Sequence, residues 1–183
     1  MKFQECDVFE ARVIEPTPHA DARGRFMRAW CRDEFTAHSI DFTPVQANMG
    51  RSVKAGTIRG LHFQTEAAPE AKLVRCTSGE VFDVVVDLRR HSPTYCKWYG
   101  TYLTAENGRM LYVPPGCAHG ALSLRDDTEI YYLTSAYYAP KEARGVRFDD
   151  PAFAIRWPIP VSSISDQDRS WPDFVPAPTG ERP

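Results

Sequence analysis

Residues 58 to 64 read Ile58-Arg59-Gly60-Leu61-His62-Phe63-Gln64, a β-prone segment that places a guanidinium and an imidazole three residues apart. Strand alternation predicts that His62 shares one face with Gly60 and Gln64. Arg59 is predicted to lie on the opposite face. A histidine beside a glutamine, with a glycine removing side-chain bulk between them, suits the wall of a ligand-binding cavity. The segment alone does not exclude a buried structural histidine with one hydrogen-bond partner.

Short β-branched or aromatic segments recur along the chain at spacings of roughly 8–12 residues, with turn-forming sequences between them. The predicted strands cover residues 9–14, 42–48, 57–63, 72–77, 81–88, 97–103, 109–113, 120–124 and 129–133. A polar turn is predicted around Gly50, and short helices at 33–37 and 165–170. Because no helix-length periodicity separates the strands, a parallel α/β sheet is disfavoured. The pattern predicts an all-β sandwich or small barrel.

The strongest predicted strand, 81–88, is nearly continuous in apolar residues, which predicts burial on both faces. It carries Asp83 and Asp87 on one side. From residue 139 onward, prolines break the chain into extended or short helical pieces. This tail also contains large aromatic residues and is predicted to wrap around the sandwich; they are Phe148, Phe153, Trp157 and Trp171.

The length of 183 residues predicts a single domain spanning 1–183. A net charge of -2 argues against a nucleic-acid or membrane-surface partner. The polar start of the sequence does not resemble a signal peptide, and no apolar run approaches membrane-spanning length. Five scattered cysteines without a C-x-x-C pair favour reduced thiols in a cytoplasmic protein.

Two histidines, His62 and His119, occupy positions suited to chemistry, whereas the other three lie in polar, turn-like sequence and are predicted to be exposed. Metal-binding cupins normally supply a His-x-His pair with a nearby Glu. Here the second position is Gln64, and Glu66 and Glu70 lie in a loop. Two ligands are one short of a secure site, so no metal is expected.

Without a metal, His62 is a candidate general base, because an imidazole titrates near neutral pH. Such a base needs an orienting carboxylate. Three aspartates are candidates, and the sequence does not choose among them: Asp83, Asp87 and Asp168. Lys72 and Arg59 could stabilise an oxyanion or a phosphate.

Four tyrosines cluster between residues 131 and 138, and aromatic packing is the expected role for most of them. Tyr131 and Tyr132 point to opposite faces of a strand. At most one of these two can therefore line the same cavity as His62.

With these motifs the chain resembles the dTDP-4-dehydrorhamnose 3,5-epimerases, metal-free cupins of nucleotide-sugar biosynthesis, from about residue 7 to residue 173. The matching motifs are Asp21-x-Arg23-Gly24, Gln46-x-Asn48, Arg59-Gly60-Leu61-His62-Phe63-Gln64, Lys72-Leu73-Val74-Arg75-Cys76, Gly79-Glu80-Val81-Phe82-Asp83-Val84, Ala105-Glu106-Asn107, Ala118-His119-Gly120, Tyr137-Tyr138-Ala139-Pro140 and Asp168-Arg169.

The resemblance implies an isomerase that epimerises C3 and C5 of a nucleotide-linked 4-keto-6-deoxyhexose without a cofactor. His62 matches the catalytic base and Asp168 its orienting carboxylate. Tyr132 matches the acid that reprotonates from the other face, and Lys72 a residue that stabilises the enolate oxygen. The implied fold is a cupin jelly roll, a double-stranded β-helix with short helices and an extended C-terminal tail. The implied assembly is a homodimer whose N-terminal residues reach into the partner's site.

The resemblance also implies two groups of binding residues. Those near the substrate and its diphosphate are Arg23, Arg59 and His119. Those around the nucleotide are Phe26, Gln46, Asn48 and Tyr138. Arg28 stands where the family usually has a glutamate, so its contact with the base, and the identity of the base, are left open.

Other departures are Gln46-Ala47-Asn48-Met49 in place of Gln-Asp-Asn-His, and Leu133 where lysine is common. None of them touches the matched base or acid. The alternatives are an epimerase acting at C3 only and one acting on a CDP-, GDP- or UDP-linked sugar. A non-catalytic sugar-binding cupin and a metal-dependent cupin are less favoured. The final sugar and its pathway are not indicated.

Overall fold

Two antiparallel sheets face each other in the computed structural model of the protein, which describes residues 1–177. The elements in chain order are β1 (Lys2–Glu5), β2 (Arg12–Glu15), β3 (His19–Asp21), β4 (Gly24–Phe26), α1 (Arg32–Ala37), β5 (Gln46–Ser52), β6 (Ile58–Gln64), β7 (Lys72–Ser78), β8 (Glu80–Asp87), β9 (Trp98–Thr104), β10 (Met110–Val113), β11 (Cys117–Ser123), β12 (Thr128–Thr134), β13 (Ala143–Gly145) and α2 (Asp166–Arg169).

One sheet has six strands in the order β1-β2-β10-β7-β12-β5, and the other has five in the order β13-β6-β11-β8-β9. A separate hairpin is formed by β3 and β4. The pairings within both sheets are antiparallel. This arrangement confirms the predicted all-β fold, a cupin-type jelly roll with short helices and an extended C-terminal tail.

The main core lies between the sheets, where β7, β8, β10 and β11 contribute inward-facing apolar side chains such as Val74, Val85 and Leu111. A second cluster covers the outer face of the six-stranded sheet, where α1 inserts Phe35. The prediction that β8 is buried on both faces is confirmed, because seven of its eight residues are buried.

The C-terminal tail covers the outer face of the five-stranded sheet. Phe153 is buried there, and Phe148 and Trp157 pack against the same cluster. The Trp157 indole N–H donates to the Phe148 carbonyl at 2.9 Å. The prediction that the tail wraps the sandwich is therefore confirmed.

Both helices within residues 1–177 are short, and neither is long and apolar enough to cross a membrane. The four-residue helix α2 begins after Ser165, whose Oγ accepts a hydrogen bond from the Asp168 amide at 3.1 Å. This N-cap satisfies an amide that the first turn of a helix leaves without a partner. It also fixes the backbone of Asp168.

The predicted strand at 42–48 and the turn around Gly50 were displaced from their true positions. The strand is β5, and Gly50 lies inside it, opposite Ile130 of β12. Pro44 has no amide hydrogen to contribute to a ladder, so the strand begins after it. The turn instead falls at residues 53–56.

The two-residue alternation predicted for β6 is interrupted by a bulge. His62 and Arg59 both pair with β11, but Gly60 and Leu61 between them face a single β11 residue. The extra residue shifts the alternation, so Leu61 joins Ile58 in an apolar cluster, and Arg59 and His62 line one cavity. The prediction that Arg59 and His62 lie on opposite faces was wrong.

The bulge requires a glycine at position 60. Gly60 has φ +110°, and a Cβ there would lie 2.6 Å from the carbonyl oxygen of His119. A larger residue would therefore clash with the β11 backbone. The absence of this side chain lets the His62 and His119 strands approach closely beside the cavity.

Candidate active site

Two adjoining cavities, of about 320 and 540 Å³, open between the two sheets. They share four lining residues, which are His62, Lys72, Tyr132 and Gln167. His62 comes from the five-stranded sheet, whereas Lys72 and Tyr132 come from the six-stranded sheet. The shared boundary therefore places an imidazole on one wall and an ammonium and a phenol on the other.

Asp168 is the aspartate that contacts His62. His62 Nε2 lies 2.5 Å from Asp168 Oδ1, and the Gly60 amide donates to Asp168 Oδ2 at 3.1 Å. The His62 side chain is 48% exposed and the Asp168 side chain 6% exposed. The buried Asp168 carboxylate thus contacts one nitrogen of the His62 imidazole, and the rest of the ring is exposed to the cavities.

The other two candidate aspartates have different partners. Asp83 accepts a hydrogen bond from His119 at 2.8 Å between Oδ1 and Nε2. Asp87 is enclosed by Arg89, Ser92 and Thr94, all of which donate to its carboxylate. The three aspartates therefore have separate partners, and only Asp168 contacts His62; the second oxygen of Asp83, Oδ2, is buried without a hydrogen-bond partner among the described residues.

The environment of Asp168 favours its charged form. Burial by itself would raise the pKa of this carboxyl group, but the hydrogen bonds from His62 and from the Gly60 amide outweigh burial. The pKa of Asp168 is consequently held below its ordinary value. Asp168 is thus a carboxylate at neutral pH and acts as a hydrogen-bond acceptor.

Tyr132 lies on the wall opposite His62. Burial and the nearby negative charge of Glu70 raise the pKa of its phenol, and the positive charge of Arg59 opposes them only in part. The phenol therefore remains protonated at neutral pH, and it can donate a proton. Lys72, at the start of β7, forms an ion pair with Glu70 at 2.5 Å.

The larger cavity contains Arg59 and His119. Arg59 is held by Ser52 Oγ and by the Arg51 carbonyl oxygen at 3.3 and 2.8 Å, respectively. The site thus combines an anchored guanidinium with a histidine bonded to Asp83, a combination able to bind an anionic or hydroxylated ligand.

The smaller cavity contains Gln46, Asn48 and Tyr138. Gln46 Nε2 donates to Asn48 Oδ1 at 3.1 Å, and the Tyr138 amide donates to Gln46 Oε1 at 3.3 Å. The structure therefore brings together three of the four residues that the resemblance implied around the nucleotide; the fourth, Phe26, lies elsewhere.

Three other predicted site residues lie away from both cavities. Arg23 and Phe26 belong to the β3–β4 hairpin, where their exposed fractions are 90% for the Arg23 side chain and 76% for Phe26. Arg28 is also exposed, and it donates to Glu34 at 2.7 Å. Within one chain, these residues do not complete the site.

Several cavity residues were not anticipated from the sequence, namely Glu70, Arg144, Gln167 and Trp171. Glu70 lies two residues before Lys72, and side chains at i and i+2 of an extended chain point to the same face. This spacing of opposite charges could have predicted the Glu70–Lys72 ion pair from the sequence. Trp171 packs against Gly145, where a Cβ would lie 2.3 Å from the indole nitrogen. No local pattern in the tail could have indicated that contact.

Two further predictions for histidines and tyrosines are confirmed, whereas the aromatic packing expected for most of the four tyrosines was wrong, because Tyr137 and Tyr138 are exposed. His19, His38 and His91 are exposed. Tyr132 lines both cavities, whereas Tyr131, its neighbour on β12, lines neither. In the part of the chain that the structure describes, no group of three or more His, Cys, Asp or Glu side chains is arranged to hold a metal ion.

Comparisons with known proteins agree with this geometry. The sequence profile described as dTDP-4-dehydrorhamnose 3,5-epimerase matches residues 5–175. A dTDP-4-dehydrorhamnose 3,5-epimerase from Sinorhizobium fredii is 42% identical over 179 residues, which cover 97% of this chain and 92% of the relative.

Two solved structures are also similar. The first is the dTDP-6-deoxy-D-glucose-3,5-epimerase RmlC of Legionella pneumophila in complex with dTDP-4-keto-L-rhamnose, at 34% identity and a TM-score of 0.87, covering 93% of this chain and 90% of that one. The second is ChmJ, a 3'-monoepimerase of Streptomyces bikiniensis in complex with dTDP-quinovose, at 34% identity and a TM-score of 0.85, covering 93% and 86%.

The matches span nearly the whole described chain and include relatives at about the same length. They agree with the geometry of the cavity, in which the His62–Asp168 pair lies opposite Tyr132 and Lys72. The chain therefore belongs to the dTDP-4-dehydrorhamnose 3,5-epimerase family, whose members are isomerases acting on sugars.

Proposed function

We propose that the protein epimerises C3 and C5 of a dTDP-linked 4-keto-6-deoxyhexose, converting dTDP-4-dehydro-6-deoxyglucose to dTDP-4-dehydrorhamnose. The C4 carbonyl acidifies the hydrogens on both neighbouring carbons, so the chemistry needs a base, an acid and a group that stabilises an enolate. The observation that carries the proposal is the position of His62, backed by Asp168 and facing Tyr132 across the cavity boundary.

In this mechanism His62 is the general base. Asp168 accepts a hydrogen bond from the N–H of one ring nitrogen of His62, which leaves a lone pair on the other nitrogen. That nitrogen removes the proton from C3 or C5. The negative charge of Asp168 then stabilises the imidazolium that forms.

Tyr132 is the proton donor on the opposite face. Inversion requires that the new proton arrive from the side opposite the one that the base attacked. The two residues belong to opposing sheets, which suits that requirement. A protonated phenol, favoured by the raised pKa of Tyr132, has a proton to give.

Lys72 stabilises the enolate oxygen that develops at C4. Its ammonium lies at the boundary shared by both cavities, close to where the other two groups act. A fixed positive charge in a partly enclosed site lowers the energy of an oxyanion much more than it would in water. No cofactor takes part in these steps.

The two cavities accommodate different parts of the substrate in this proposal. Arg59 and His119 contact the sugar and its diphosphate, and Gln46, Asn48 and Tyr138 contact the nucleotide. This division follows from the family resemblance and is supported by the presence of each group in one cavity.

The protein is further proposed to be a cytoplasmic homodimer in which the β3–β4 hairpin completes the partner's site. Arg23 and Phe26 match substrate-binding positions, yet in one chain they project away from the cavities. An exposed phenylalanine beside an exposed arginine suits a surface that another subunit covers. These two residues would then reach the diphosphate and the nucleotide of the neighbouring subunit.

The direct test is incubation with dTDP-4-dehydro-6-deoxyglucose in deuterated water, followed by NMR of the product. Double epimerisation predicts deuterium at both C3 and C5. Deuterium at C3 alone would identify a C3 epimerase, the alternative favoured by the similarity to a 3'-monoepimerase. Absence of exchange at both carbons, with an active epimerase as control, would refute the proposed activity. Unchanged turnover in the presence of a chelator would exclude the metal-dependent alternative.

A further inference from the structure

Glu70 is a buried carboxylate in the wall of the smaller cavity, and none of the steps proposed above uses it. Its Oε2 lies 2.5 Å from Lys72 Nζ, and both side chains are less than 10% exposed, at 8% and 9%. Within residues 1–177, this is the only hydrogen bond that either side chain makes. Each group is therefore the other's sole polar anchor among the described residues.

Such an anchor matters because lysine is a flexible residue. Its ammonium is a strongly hydrated charge on a four-carbon stem with many rotamers. Removing that charge from water is unfavourable unless a counterion is present. The Glu70 carboxylate supplies the counterion and thereby selects one position for the ammonium.

We infer that Glu70 is a positioning residue, which fixes the Lys72 ammonium at the boundary of the two cavities so that it meets the developing enolate. This inference rests on the proposed function for the identity of that enolate. An ammonium has three N–H donors, and Glu70 engages one of them. Two donors are left for the substrate oxygen, and Glu70 itself need not touch the reacting atoms.

Glu70 also acts on Tyr132 through its charge. The charged or titratable groups that line the cavities with Tyr132 are Arg59 and His62 of β6, Lys72 of β7, His119 of β11, Asp168 of α2, Arg144 of β13, Tyr138 and Glu70 itself. After burial, Glu70 is the main cause that raises the pKa of Tyr132. Asp168, the other carboxylate, is already engaged with His62.

The test compares Glu70→Gln with the wild type. Glutamine keeps the shape and an acceptor oxygen for Lys72 but removes the charge, and circular dichroism over the pH range of the titration checks that the variant is folded. The readout is the ultraviolet absorbance of tyrosinate as a function of pH, and Tyr132→Phe identifies the contribution of Tyr132. Glu66→Gln, at an exposed glutamate of the same loop, is the matched control.

We expect Glu70→Gln to move the titration of Tyr132 to lower pH, because a nearby negative charge that favours the neutral phenol is removed. Glu66→Gln should leave it in place. An identical titration in Glu70→Gln and wild type would show that no Glu70 charge is held in this cavity wall, and the inference, which requires that placement, would fall. Because this measurement needs no substrate, it tests the placement even if the wild type fails to turn over the proposed substrate.

Activity supplies the second readout. Glu70→Ala removes both charge and acceptor, and kcat should fall about tenfold or more with little change in KM, as expected when a group assists only the transition state. Glu70→Gln should recover part of this loss. If both variants keep wild-type kcat while the wild type is active, Glu70 does not position Lys72, and the proposed function still stands.

Discussion

His62 and Asp168 lie 106 residues apart in the sequence, and their side chains meet at 2.5 Å. The contact joins β6, at the centre of the cavity wall, to a four-residue helix in the C-terminal tail. The tail therefore has two roles, since it covers the outer face of a sheet and supplies the carboxylate behind the proposed base. The cap at Ser165 and the Gly60 amide fix that carboxylate in place.

Substitution of His62 by alanine should abolish entry of solvent deuterium into the substrate. Loss of a general base typically lowers the rate by ~10²–10⁴-fold. Binding of dTDP, measured by calorimetry, should be largely preserved because the nucleotide is assigned to other residues. Deuterium exchange at the wild-type rate in His62→Ala would show that another group removes the proton.

Tyr132→Phe should separate proton removal from inversion. The base and the enolate-stabilising lysine remain, so the substrate should still exchange its proton with solvent. Without a donor on the opposite face, the proton returns from the original side and configuration is retained. NMR of the recovered sugar distinguishes these outcomes. Normal formation of the epimer would assign the acid to water or to another side chain.

Asp87→Asn should destabilise the fold without touching the cavity. Asp87 is fully buried and forms an ion pair with Arg89. The substitution by asparagine removes the negative charge and so weakens this interaction. Breaking a fully buried pair typically costs about 3–5 kcal/mol, and the loss here should be smaller because Arg89 is partly exposed and keeps its ion pair with Glu10. Denaturant unfolding at neutral pH measures the loss. Asp126→Asn, at an exposed ion pair with Lys54, should have a much smaller effect.

The loss of folding stability in Asp87→Asn should depend on pH in a defined direction. Burial would raise the pKa of Asp87, but donors from Arg89, Ser92 and Thr94 lower it below its ordinary value of 3.8. A lowered pKa in the folded state means that the stabilisation is complete above 3.8 and is lost as pH falls through the folded value. The difference in stability between wild type and Asp87→Asn should therefore shrink on acidification. A difference that grew in acid would contradict this assignment.

Arg28→Glu should leave the preference between dTDP and CDP unchanged. Arginine cannot accept a hydrogen bond from thymine, so a base-reading Arg28 would disfavour dTDP. In the structure, however, its guanidinium is exposed and bonded to Glu34. Binding of both nucleotides to both proteins can be compared by thermal shift and calorimetry. A shift toward dTDP of about tenfold, equivalent to 1.4 kcal/mol, would show that Arg28 does read the base.

Mixing two inactive variants should restore activity if the hairpin completes the neighbouring site. One variant carries Phe26→Ala together with Arg23→Ala, and the other carries His62→Ala. A mixed dimer contains one site with both an intact hairpin and an intact base. Recovery of turnover after the two proteins are unfolded and refolded together would support the proposal. Failure to recover turnover, in a sample shown to contain mixed dimers, would contradict the proposal that the hairpin completes the neighbouring site.

Local sequence was sufficient to predict most of the strands and the all-β class. Alternation and burial patterns identified β8, and the proline-rich tail was correctly expected to pack on a sheet. The strand at β5 was misplaced because an isolated Gly50 is a turn signal locally, whereas pairing with β12 places it inside a strand. Pairing partners are distant in sequence, and local propensity does not contain them.

The sequence by itself supplied the candidate groups of the site, since residue type pointed to His62 and Lys72 and the family resemblance pointed to Tyr132. Residue type alone left Asp83, Asp87 and Asp168 open as partners of His62. The family resemblance pointed to Asp168, and the tertiary structure shows the contact itself, which depends on where a distant tail docks. Tertiary structure also placed Arg59 beside His62, through a bulge whose extra residue is defined only by the facing strand. Residue identity sets which reactions are possible, and contacts between distant segments decide which groups act together.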